Sequence, residues 1–152
     1  DRTKFHPEAY KLSQPISPHA AAERDDVEID ISSFKIPQTN NHLVIEGAGG
    51  LLVPLNDKNT ILNIIESIKC EVILVSRHYL GSINHTLMSI ETLQQRKIPI
   101  KGILFNGKKN KDTESIITKM SGVNIIGRIE ELDHLNKSVI NSVAQNLKNK
   151  LI

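Results

Sequence analysis

EVILVSRHYLGSINHTLMSIETLQQRKIPIKGILFN, residues 71–106, decides the fold. Residues 71–76 form a continuous apolar run rich in β-branched side chains, so both faces of that strand are buried. Residues 82–97 place Ile83, Leu87, Ile90 and Leu93 on one helical stripe. Residues 100–106 are again strand-like and apolar. Strand, helix and strand, with both strands apolar on both faces, predict a parallel βαβ unit. Its crossover is right-handed, as such connections almost always are.

The same alternation continues outward. Residues 112–120 read as a short helix closed by Gly122, residues 123–129 as a strand, and residues 138–151 as a closing helix. The lysines at its end suit the helix dipole. Toward the N-terminus, residues 60–68 carry Ile61, Leu62, Ile64, Ile65 and Ile68 at helical spacing, and HLVIE (42–46) reads as a buried strand ended by glycines. The series predicts an α/β fold, a three-layer doubly wound parallel sheet, with residues 42–152 as its alternating strand/helix core. Residues 1–41 read as a connecting segment with one or two short helices within 18–37. The first residue is Asp1 and three prolines fall in the first 19 residues. We therefore expect residues 1–152 to be one partial domain that begins in the middle of a larger one.

Composition narrows the function classes. The chain has 152 residues, 39% of them apolar and 24% charged, which suits a folded domain with its own core. Aromatics are 3% and Trp is absent, so the core is aliphatic. A net charge of +2 gives no reason to expect a nucleic-acid or membrane partner. Cys70 is the single cysteine, which excludes an internal disulfide framework; beside an apolar run it reads as a small buried hydrophobe. No apolar stretch approaches the ~18 residues of a membrane span, and no signal peptide is visible. The expectation is a cytoplasmic protein. The six histidines lack metal-ligand spacing, and no G-x-S-x-G elbow occurs.

Open α/β sheets bind ligands at the carboxyl ends of their strands. Those ends are polar here. VIEGAGG (44–50) runs into Glu46 and then Gly47-Ala48-Gly49-Gly50. A carboxylate at a buried strand end is costly unless it is paired or coordinating, and in phosphoryl-transfer sites it holds Mg²⁺. Glycines let backbone N–H groups approach phosphate oxygens. The plainer reading is a tight turn with a solvated glutamate. Leu52 replaces the third glycine of a dinucleotide fingerprint, so that motif is rejected. GILFNGKK (102–109) imitates a P-loop but carries Lys109 where a Ser/Thr hydroxyl is required. In LGSINH (80–85), Gly81 breaks the chain and Ser82 can cap a helix whose first turn favours an anion, with Asn84 as an added donor; an ordinary capped helix is the alternative. The third strand ends in Asn106-Gly107 and the fourth near Arg128-Ile129-Glu130.

Taken in order, SPHAAA (17–22), VIEGAGGLLVPL (44–55), LGSINHTL (80–87) and GILFNG (102–107) resemble dethiobiotin synthetase, the ATP-dependent enzyme of biotin biosynthesis. The resemblance covers essentially the whole chain. It implies a P-loop NTPase fold and a homodimer. It also implies a reaction in which 7,8-diaminopelargonate takes up CO2 as a carbamate, ATP phosphorylates it with Mg²⁺, and the second amine closes the ureido ring. By position, Glu46 is implied as the Mg²⁺ ligand and catalytic carboxylate, with Gly47, Ala48 and Gly49 beside the phosphates. Asn106 is implied as the adenine-reading amide, with Gly107 next to it. Gly81, Ser82 and Asn84 are implied to bind the substrate carboxylate across the dimer, and Ser17 and Pro18 to line the substrate pocket.

The sequence departs from the family pattern in two places. Glu130-Glu131-Leu132 follow Gly127-Arg128-Ile129, where the family often carries a proline in its nucleotide loop. The family's opening strand, P-loop and helix, with the Lys and Asp beyond them, do not occur in residues 1–152. The fold is therefore expected to lack its first strand and P-loop, and these residues alone to be inactive. The alternatives are a related ligase of the same fold acting on another carboxylated substrate, a catalytically dead dimerising relative, and a module that binds nucleotide without turnover.

Overall fold

The computed structural model describes residues 5–151. They form two compact units that divide between Lys69 and Cys70.

The first unit carries α1 (Pro18–Arg24), a 3-10 turn (Ile31–Ser33) and α2 (Ile61–Ile68). Pro18 occupies the first turn of α1, where its missing N–H costs nothing. Ala22 packs with Ile29 and Leu55, and Tyr10, Phe34, Ile61 and Ile64 close around them. Asp25 accepts the Ser13 backbone N–H at 2.7 Å as well as the Ser13 hydroxyl. At the start of α2 the Thr60 N–H donates to Asn63 Oδ1 at 2.8 Å.

Residues 42–47 are not a strand, which corrects the reading of HLVIE. Val44 is 90% exposed and Ile45 53%. The reason lies in the ladder. An apolar run becomes a strand only where a neighbour takes its N–H and C=O groups, and among the described residues no strand pairs with it. Among the described residues of this unit, the β-pairing is a single antiparallel bridge between Pro54 and Thr60.

The second unit contains β1 (Val72–Arg77), α3 (Ser82–Gln95), β2 (Ile100–Asn106), α4 (Lys111–Ser121), β3 (Ile125–Ile129) and α5 (Lys137–Leu151). The strands lie in the order β1-β2-β3 and both pairings are parallel. Two crossovers of one hand, stepping in one direction, put α3 and α4 on the same face. There Ile90 of α3 and Ile117 of α4 close on Ile103 and Phe105 of β2. Ile103, Phe105 and Ile117 have no exposed surface, and each contributes roughly 1.5–3 kcal/mol by burial.

Side chains alternate along a strand, so Leu104 points to the opposite face. α5 covers that face over β3. A Cβ at Gly127 would collide with Leu147 of α5 and lie 3.8 Å from Leu104; glycine there lets the helix lie close to the sheet. The result is the three-layer α/β arrangement. β1 departs from the expectation of two buried faces, because Ile73 and Val75 remain exposed. α5 covers β3, at the far side of this sheet. Cys70 is half-buried, and burial raises its thiol pKa, partly offset by a backbone hydrogen bond. Among the described residues no helix is long and apolar enough to cross a membrane.

Candidate functional site

The strand register aligns the carboxyl ends of the sheet. Arg77 pairs with Asn106, and Asn106 with Ile129. Just inside this rim is a side-chain cluster centred on Glu114, in the first turn of α4. Its Oε1 accepts the Asn110 backbone N–H at 2.8 Å and one Nη of Arg128. It also lies 3.1 Å from His78 Nε2. The other guanidinium nitrogen of Arg128 donates to the Gly107 carbonyl at 2.8 Å, and the Gly107 N–H donates to the Ile129 carbonyl at 2.8 Å. Gly107 turns there with φ +95, a conformation that favours glycine.

Phe105 is the floor of the cluster. The His78 ring stacks on it with centroids 5.0 Å apart, and the Arg128 guanidinium lies 5.6 Å from its centroid. Glu114 is 6% exposed. Burial raises its pKa, but the bonds from Asn110, Arg128 and His78 outweigh that and hold it below the ordinary glutamate range. The carboxylate is therefore charged at neutral pH. A second buried polar pair lies nearby in the chain: the Ser76 and Thr86 hydroxyls are 2.8 Å apart, and Thr86 donates to the Ser82 carbonyl at 2.7 Å. An open cleft of about 320 Å³ borders the end of β3, lined by Arg128, Glu130, Leu132, Val143 and Asn146.

The expected site residues fall into two groups. In the second unit Asn106 is exposed at the end of β2 and Gly107 is buried beside it. Gly81, Ser82 and Asn84 gather at the start of α3. Gly81 and Asn84 are exposed, whereas Ser82 is buried and its N–H donates to the Tyr79 carbonyl at 2.9 Å. In the first unit Ser17 precedes α1 and Pro18 begins it. Glu46, Gly47, Ala48 and Gly49 lie in an exposed loop. Gly47 backs onto the start of α2, where a Cβ would come within 3.1 Å of Ile61. Glu46 is thus not at a buried strand end.

Three cluster members carried no role in the sequence reading: Glu114, His78 and the guanidinium of Arg128. For Glu114 a signal existed. It precedes Ile117 by three residues and so shares the apolar stripe of its helix. A carboxylate on a buried stripe requires donors.

A family model described as an AAA domain matches residues 1–139. The chain is 48% identical over 144 residues to the ATP-dependent dethiobiotin synthetase BioD of Cytophaga hutchinsonii, covering 94% of this chain and 70% of that protein. It is 49% identical over 147 residues to the protein of the same name from Christiangramia forsetii, covering 97% and 70%. The corresponding figures for Rhodopseudomonas palustris are 41% over 134 residues, 88% and 63%. The chain belongs to the dethiobiotin synthetase family.

Membership in the dethiobiotin synthetases makes the Mg²⁺ fit a question for the first unit. Among the described residues no group of three or more His, Cys, Asp or Glu gathers to hold a metal. Mg²⁺ in nucleotide enzymes keeps several waters and takes one or two carboxylates plus phosphate oxygens. A single exposed Glu46 fits that demand as one ligand among several.

Proposed function

We propose that the chain is part of an ATP-dependent carboligase that closes the ureido ring of dethiobiotin. The substrates are 7,8-diaminopelargonate, CO2 and ATP, and the products include ADP and phosphate. The observation that carries this reading is the identity of 48% across 94% of the chain to a protein named ATP-dependent dethiobiotin synthetase. Three relatives so named, at 41–49% identity, agree.

Each group of residues has a task in that chemistry. The Asn106 amide both donates and accepts, which suits the edge of an adenine, and Gly107 is held beside it by Arg128 and Ile129. Glu46 is the protein ligand to Mg²⁺, and Gly47, Ala48 and Gly49 leave room for phosphate oxygens beside it. Bound Mg²⁺ would offset phosphate charge at that loop. The exposed Gly81 and Asn84, with Ser82 opening α3, offer the substrate carboxylate a helix start. In a homodimer this end reaches the partner's site. Ser17 and Pro18 border the pocket for the diamine. The setting is the cytoplasm.

A Walker lysine and its adjoining hydroxyl do not occur in residues 1–152. Taken alone, these residues are expected not to transfer phosphate. The second reading is a dimerising or nucleotide-binding module without turnover. One assay separates the two. Protein made from the complete coding sequence is incubated with Mg²⁺, ATP, bicarbonate and 7,8-diaminopelargonate, and dethiobiotin and phosphate are quantified. One phosphate per dethiobiotin supports the carboligase. Mg²⁺-dependent ATP binding with no dethiobiotin supports the module.

A further inference from the structure

One oxygen of Glu114 ties three strand ends together. His78 follows β1, Asn110 follows β2 and Arg128 belongs to β3, and all three converge on Glu114 Oε1. Arg128 carries the restraint onward. Its second donor holds the Gly107 carbonyl at 2.8 Å, while Ile129 takes the Gly107 N–H at 2.8 Å. The backbone one residue past Asn106 is therefore clamped from both of its polar groups by β3. The clamp in turn depends on a carboxylate that is almost wholly buried. Charge-assisted bonds in such surroundings are among the stronger ones a protein makes. None of the side chains of Glu114, His78 and Arg128 needs to touch a ligand to do this.

We propose that Glu114 is a positioning residue which, through Arg128, fixes the Asn106–Gly107 corner and thereby sets the preference for one nucleotide base over another. The inference rests on the reading of Asn106 as the base-recognising amide. Adenine and guanine differ in the order of donors and acceptors on their edges. An amide on a fixed corner meets one order well and leaves an unpaired polar group against the other. An amide on a loose corner shifts to serve both, because discrimination by hydrogen bonds requires placement to about half an ångström.

The test uses protein made from the complete coding sequence, wild type and Glu114→Gln. The replacement keeps side-chain length and an acceptor oxygen but removes the charge. Without ligand, backbone amide exchange is measured at Gly107, Asn110 and, as an internal control, Ile103. Exchange at Gly107 and Asn110 is expected to accelerate at least about tenfold more than exchange at Ile103, which reports the global loss of stability. Unchanged exchange at both positions overturns the clamp.

With ligand, affinities for ATP, GTP and inorganic tripolyphosphate are compared. The ATP-over-GTP ratio is expected to fall about tenfold, with tripolyphosphate unaffected. A parallel loss of all three ligands shows a merely structural role and overturns the proposal. So does an unchanged ratio once the corner has been freed. If wild-type protein has no preference for ATP over GTP, the reading of Asn106 fails and the selectivity role falls with it, while the exchange data still decide the clamp. Arg128→Lys guards against a misfolded first variant. It retains a cation beside Glu114 but loses the fork that reaches Gly107, and the same drop in the ratio is expected.

Discussion

Glu46 and Glu114 are both carboxylates beside a glycine-containing turn, yet their surroundings are opposite. Glu46 lies in an exposed loop of the first unit, next to Gly47. Glu114 is buried under the rim of the second unit and takes bonds from the ends of three strands. The loop around Glu46 has the stronger local motif, and the cluster around Glu114 has none. A local motif reports what a segment can bind. A cluster assembled from three strand ends reports what the fold must hold still. The first is carried by a few adjacent residues, and the second exists only once residues 78, 114 and 128 have been brought together.

The largest effect is expected from removing the floor of the cluster. Phe105 is wholly buried, packs with Ile90 and Ile117, and carries the His78 ring. Phe105→Ala should cost about 3–5 kcal/mol, part transfer and part cavity, read as a fall in the urea midpoint of unfolding. A loss below ~1 kcal/mol would mean that the cluster does not rest on this core. Next comes Arg128→Ala, which leaves Glu114 buried without its cation. Breaking a buried pair from one side costs about 3 kcal/mol. Restoring the loss by adding Glu114→Leu to Arg128→Ala would identify the stranded charge as its cause.

These magnitudes also show why the sheet was legible in the sequence and the cluster was not. The strands at 72–77, 100–106 and 125–129 follow from continuous apolar runs, and α3 and α5 from helical spacing. Those signals are local and redundant, spread over many residues each. HLVIE carries the same local signal, but its strand state depends on a ladder partner that no spacing within five residues can report. Glu114 was hidden for the converse reason. Its partners lie 36 and 14 residues away, at His78 and Arg128, and nothing local distinguishes it from a solvated glutamate except the buried stripe it shares with Ile117. The position of Asn106 and Gly107 at the end of β2 was legible because a strand end needs no partner to be located. Ser82 was expected as the cap of α3, but Gly81 holds that position and Ser82 is the buried first residue of the helix.

Acid sharpens the contrast. The native pKa of Glu114 lies below its unfolded value, so its contribution is fully present above the unfolded value of about 4.3 and is lost as pH falls through the native one. Glu114→Gln should therefore cost about 1–3 kcal/mol at pH 7, and the gap between wild type and variant should close as pH falls below ~4. Denaturant midpoints measured from pH 7 to pH 2 read this directly. The variant should keep some acid sensitivity of its own. The Ser13 hydroxyl and N–H lower the pKa of Asp25, and the Ser32 hydroxyl and N–H lower that of Asp30. A gap that stays constant across this range would show that the charge of Glu114 does not contribute.

The same substitution at the other glutamate gives the smallest effect. Glu46 is exposed, and an exposed side chain outside any buried network is worth within about 0.5 kcal/mol. Glu46→Gln should leave the urea midpoint unchanged across the same pH range. If the proposed metal role is right, it should instead raise the Mg²⁺ concentration needed for half-maximal ATP binding, because a neutral amide is a poorer ligand for a hard cation than a carboxylate. The two glutamates then separate cleanly: one substitution moves stability and base preference, the other moves only the metal requirement. A Glu46→Gln protein that loses stability as Glu114→Gln does would place Glu46 in a buried contact and end the contrast. One with unchanged stability and an unchanged Mg²⁺ requirement would remove Glu46 from the metal site and leave VIEGAGG as a turn with a solvated carboxylate.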